Sequence, residues 1–70
     1  MKNKQEFYLN NYRYSCYQQI TLSKLLAYFN YPTKLIVLEY NGLICSRPQW
    51  NKVYIKNNDR IELVTVVGGG

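Results

Sequence analysis

Three of the four glycines in this 70-residue sequence are its last three residues, Gly68, Gly69 and Gly70. They follow directly on the β-favouring run Leu63-Val64-Thr65-Val66-Val67. A triglycine end has no Cβ atoms, so it can adopt conformations closed to other residues and enter a slot too narrow for a side chain. At about 3.3–3.6 Å per residue, it reaches roughly 10 Å beyond a folded body. Its tip is the Gly70 carboxylate on an unhindered carbon. That group is ionised at neutral pH and is a poor electrophile. Joined to AMP as a mixed anhydride, it opens to attack by sulfur or nitrogen. The residues alone leave two readings, a carrier whose end is the reacting group and a frayed terminus of small residues.

The rest of the chain is poor in catalytic groups. There is no histidine, the commonest general base and metal ligand. Asp and Glu total 4, too few for a convincing carboxylate pair or hard-metal cage, and no metal site is expected. Cys16 and Cys45 lie 29 positions apart, form no C-x-x-C, and read as small core side chains. If this chain takes part in chemistry, it is as a substrate or carrier for another enzyme and not as a catalyst. Nine Lys+Arg give a net charge of +5, but they are spread with no run of three, which reads as solvated basic surface. No apolar run approaches the length of a membrane-spanning helix, so no membrane partner is expected. The abundance of Asn, Tyr, Lys and Ile follows AT-rich codons, which discounts the eight tyrosines as a functional signal.

A chain this short makes one domain with a small core. Residues 6–9 read as a strand, Asn10-Asn11 as a tight turn, and the alternation of Tyr12, Tyr14 and Cys16 as its hairpin partner. Leu22, Leu25, Leu26 and Phe29 form the stripe of a helix about ten residues long, capped by Thr21 and stopped by Pro32. Residues 35–38 read as a buried strand, Asn41-Gly42 as a turn and residues 43–45 as a short return. A connector follows, in which Pro48 starts one helical turn and Trp50 lids the core. Asn57-Asn58-Asp59 turns into a last strand over residues 61–67. The order hairpin, helix, strand, short strand, connector, strand gives an α+β roll, a small mixed sheet with one helix on one face. Residues 1–67 are the expected domain and 68–70 its flexible tail.

The sequence resembles the ThiS family, ubiquitin-like β-grasp sulfur carriers of thiamine thiazole biosynthesis. The likeness covers nearly the whole chain. It rests on Leu9-Asn10-Asn11, Thr21-Leu22-x-x-Leu25-Leu26, Glu39-Tyr40-Asn41-Gly42, Arg47-x-x-Trp50, Asp59-Arg60-Ile61 and the ending Val66-Val67-Gly68-Gly69-Gly70. Ser46, Asn57-Asn58 and Asn11 depart from residues common in the family, all of them in turns or connectors. The resemblance implies that a ubiquitin-activating-type adenylyltransferase, using ATP and magnesium, adenylates Gly70. Sulfur from a persulfide enzyme then makes a thiocarboxylate, and thiazole synthase accepts that sulfur. Gly70 carries the covalent chemistry, Gly69 and Gly68 provide access, and the chain itself binds no cofactor.

Two rival readings differ in class. One is a carrier like the small subunit of molybdopterin synthase, which also ends in Gly-Gly. The other is a basic, tyrosine-rich domain that binds single-stranded nucleic acid, against which no stacking motif recurs. The carrier reading expects no nucleic acid and a monomer when free. The last strand is apolar on both faces beyond Glu62, so Leu63, Val64, Val66 and Val67 are the candidates for docking the activating enzyme. The codon bias, with the family's occurrence in algal plastid genomes, favours the plastid stroma over a bacterial cytoplasm.

Overall fold

Five asparagines shape the turns. In the computed structural model, which describes residues 4–65, Asn10, Asn11, Asn30, Asn41 and Asn58 all take positive φ, between 50° and 71°. Apart from glycine, asparagine tolerates this left-handed region best, because its short amide can bond locally. Asn10-Asn11 closes the hairpin of β1 (Gln5–Leu9) and β2 (Tyr12–Cys16). Asn41-Gly42 closes that of β3 (Ile36–Tyr40) and β4 (Leu43–Cys45). Positive φ at both central residues matches the twist of the flanking strands.

The helix, α1 (Leu22–Tyr28), is seven residues long rather than the ten or so expected. Its first free N–H groups are all taken. Lys24 N donates to Thr21 Oγ1 at 3.2 Å, Leu22 N to the Val53 carbonyl, and Ser23 N to the Trp50 carbonyl. The stop is not Pro32. Asn30, at φ 58°, donates from its backbone to Ala27 O, and Tyr31 N donates to Leu26 O, the crossed pair of bonds that ends a helix through a left-handed residue. Leu22, Leu25 and Leu26 are buried, and Phe29 packs half-buried against them.

The last strand in sequence, β5 (Arg60–Thr65), lies in the middle of the sheet, whose order is β2-β1-β5-β3-β4. It runs parallel to β1 and antiparallel to β3, so the sheet is mixed. Phe7, Leu9, Ile36, Leu38 and Ile61 meet α1 on the inner face, and Trp50 and Ile55 complete the core. Each such side chain contributes about 1.5–3 kcal/mol when fully buried. The expected element order holds, with shifted limits. A 3-10 turn at Thr33–Leu35 delays β3 to Ile36, and β3 runs on to Tyr40. Cys16 and Cys45, expected inside, are free thiols at the half-buried rim. Val66 and Val67, assigned to the last strand, lie outside the described residues.

Candidate functional site

The candidate site is the outer face of the sheet and the end of β5. Two hydrogen-bonded groups of residues fix where that strand begins and where it leads. At its start, Asp59 is buried and shared. Its Oδ2 accepts from the Tyr40 hydroxyl and from Lys56 N, and its Oδ1 accepts from Asn41 Nδ2 at 3.1 Å. Asn41 Oδ1 in turn accepts from Arg60 N at 2.8 Å, and Asn41 N donates to Arg60 O. The segments 39–42 and 59–61 are therefore one unit, which ties the β3–β4 turn to the start of β5. Burial, then the bond to Asp59, pushes the Tyr40 hydroxyl well above its ordinary pKa of 10.0. Sequence reasoning missed this pairing. Its only signal was an Asp closing an Asn-rich turn.

The strand leads towards the opposite end of the sheet. Thr65 lies opposite Ile36, beside the Thr33–Leu35 turn. There Arg47 Nη2 donates to the Lys34 carbonyl at 2.7 Å, while Trp50 Nε1 donates to the Cys45 carbonyl at 2.8 Å. The Arg47-x-x-Trp50 segment thus pins the connector across β4 and the entry to β3. β1 stops at Leu9, and the Asn10 amide oxygen takes Leu63 N at 2.8 Å in its place. Gly68, Gly69 and Gly70 lie outside the described residues.

Register assigns the faces. Ile61, Leu63 and Thr65 share a face with Ile36, Leu38 and Tyr40, whereas Glu62 and Val64 share the other with Glu39 and Val37. Leu63, named as a docking candidate, packs half-buried against the core. Val64 is 55% exposed and pairs with Val37. Ile44, 73% exposed and opposite Glu39 on β4, was not singled out from sequence, because its face depends on the β3–β4 register. On the same face Arg60 sits over the Tyr8 ring, 4.7 Å from its centre. Val37, Val64 and Ile44 thus surround Glu39 with apolar side chains on the outer face.

Among the described residues no three His, Cys, Asp or Glu side chains gather to hold a metal ion. No described helix is long and apolar enough to cross a membrane. The Cys45 thiol is pushed up by burial.

The ThiS family model matches residues 8–70. The protein ycf40 of Trieres chinensis, itself described as uncharacterised, is 48% identical over 64 residues, which are 91% of this chain and 88% of that one. The ycf40 protein of Porphyra purpurea is 29% identical over 89% of this chain and 87% of its own length. The crystal structure of the thiamine biosynthesis protein ThiS from Geobacter metallireducens superposes with a TM-score of 0.82. It does so at 19% identity, over 94% of this chain and all of that one. The mixed sheet with one helix is accordingly the β-grasp fold. With 63 of its 70 positions matched, up to the last glycine, the chain belongs to the ThiS family of small ubiquitin-like sulfur carriers.

Proposed function

We propose that this protein carries sulfur for the thiazole of thiamine on the carboxylate of Gly70, with residues 1–67 as the body and 68–70 as the handle. The observation that carries the reading is the family match, which runs through Gly68, Gly69 and Gly70 to the end of the chain. The central position of β5 supports it, because the strand leading to the tail is held on both sides. In the first step the Gly70 carboxylate attacks the α-phosphorus of ATP. A C(O)O–P bond forms and pyrophosphate leaves, on a ubiquitin-activating-type adenylyltransferase that supplies the ATP and magnesium site. In the second, the terminal sulfur of a protein persulfide attacks the acyl carbon and AMP departs. A thiol then reduces the resulting S–S bond and releases the thiocarboxylate, and thiazole synthase takes up that sulfur. The outer face around Val64 docks the activating enzyme. The ycf40 relatives of algae support a place in the plastid stroma. The protein is monomeric when free.

ATP–pyrophosphate exchange with the organism's own adenylyltransferase tests the reading. One residue added after Gly70 moves the carboxylate by about 3.3–3.6 Å, where displacements of about 1 Å cost about a hundredfold in rate. The extended chain should not exchange. Gly69→Ala should fold and exchange poorly, and Gly68→Ala should be milder. Exchange by the extended chain at the parent's rate would show that Gly70 is not the reacting group. Intact mass of the protein from its own cell should show sulfur in place of one oxygen.

A further inference from the structure

The four acidic residues are unevenly used. Glu6 pairs with Lys4 at 3.4 Å, and Asp59 is buried in the hydrogen-bonded unit with Tyr40 and Asn41. The other two, Glu39 and Glu62, stand directly opposite one another on β3 and β5. Both are on the outer face, and among the described residues neither lies within 4.0 Å of a Lys or Arg nitrogen. Like charges in this arrangement destabilise a strand pair. The chain has nine cations to place there and a net charge of +5, yet the neighbouring cation, Arg60, is turned onto Tyr8. Apolar residues flank the two carboxylates, the Val37–Val64 pair along the strands and Ile44 across β4. Residues directly opposite have Cβ atoms about 4.5–5.5 Å apart, a gap that one guanidinium can bridge with two N–H donors or one ammonium can fill.

We infer that this face receives a basic residue of the activating enzyme, an arginine or lysine ringed by apolar side chains, seated between Glu39 and Glu62. The inference rests on the carrier reading and deepens it. The chain as a whole carries +5, so a cation on the partner meets net repulsion from the molecule and local attraction at the carboxylate pair. That repulsion fixes the register of docking as much as the attraction does. Closure of the valine and isoleucine contacts around the ion pair removes water and strengthens it.

The test is pyrophosphate exchange by the organism's adenylyltransferase with the carrier concentration varied. E39Q/E62Q should raise KM by about tenfold or more at low salt with kcat unchanged. Its melting temperature should be equal to or above the parent's, because the repulsion is gone. The difference should shrink at high salt, where the parent loses its attraction. K24Q, on the exposed side of α1, should leave KM within about twofold. E62K, which keeps a long side chain on the strand, should raise KM further than E62Q. An unchanged or lowered KM for E39Q/E62Q, beside a parent that exchanges, overturns this inference and leaves the carrier reading standing. A parent that does not exchange overturns both. Sedimentation of the parent as a dimer that E39Q/E62Q dissociates also overturns it, since the face would then belong to a second copy.

Discussion

The two faces of the five-stranded sheet obey different rules. The inner face is continuous. Phe7, Leu9, Ile36, Leu38 and Ile61 are all at most 5% exposed and meet three leucines of α1. The outer face mixes Val37, Ile44 and Val64 with two facing glutamates and an arginine laid over a tyrosine. Folding explains the first arrangement completely, because apolar area leaves water. It does not explain the second, which exposes large apolar groups and opposes like charges. The contrast separates residues whose placement folding accounts for from residues whose placement it does not.

Leu26→Ala breaks the inner face hardest. It should cost about 2–5 kcal/mol in urea unfolding, enough to prevent folding in a domain of this size. A stable Leu26→Ala domain would mean that the core lies elsewhere. Asp59→Ala should follow, at on the order of 3 kcal/mol, since the Tyr40 hydroxyl, Asn41 Nδ2 and Lys56 N lose one acceptor residue at about 1–3 kcal/mol per stranded group. Val64→Lys attacks the other face. Its unfolding free energy should stay within about 1 kcal/mol of the parent, while the KM for activation rises several-fold. A large loss of stability with normal activation would reverse the assignment of faces.

Tyr40→Phe gives a smaller and pH-dependent effect, about 0.5–1.5 kcal/mol at neutral pH. The folded hydroxyl has its pKa raised above the ordinary 10.0. Its contribution is therefore complete below pH 10 and falls as pH rises beyond it. Stability curves of parent and Tyr40→Phe should converge in that alkaline range, and parallel curves would remove the hydroxyl from the account. The smallest effect belongs to the tail. Deleting Gly68 to Gly70 should leave the melting temperature within error of the parent, whereas a fall of many degrees would mean that the tail is packed.

Local chemistry was legible in the sequence. Asn10-Asn11 and Asn41-Gly42 form the turns their types require, and Thr21 caps the helix whose leucine stripe is buried. What depended on long-range register was not. Tyr40 and Asp59 are 19 residues apart and meet only because β3 and β5 are neighbours. Glu39 opposes Glu62, and Ile44 joins Val64's face, through pairings that no local pattern encodes. The parity of β5 was equally hidden, because Leu63 and Val64 are both apolar and only the helix decides which one is covered. The early end of α1 was within reach, since an asparagine can stop a helix as firmly as a proline.

The Asn41 amide also sets how the molecule ages. In an asparagine followed by glycine, the next backbone nitrogen attacks the side-chain carbonyl, ammonia leaves, and water opens the resulting succinimide to a carboxylate. Here Nδ2 is held by Asp59 and Oδ1 by Arg60 N, so the amide must break both bonds before it can move freely into that attack. Once the bonds open and the reaction runs, a second carboxylate faces the buried Asp59, and the turn cannot close as before. Intact folding thus protects this bond, and each unfolding event exposes it to irreversible damage.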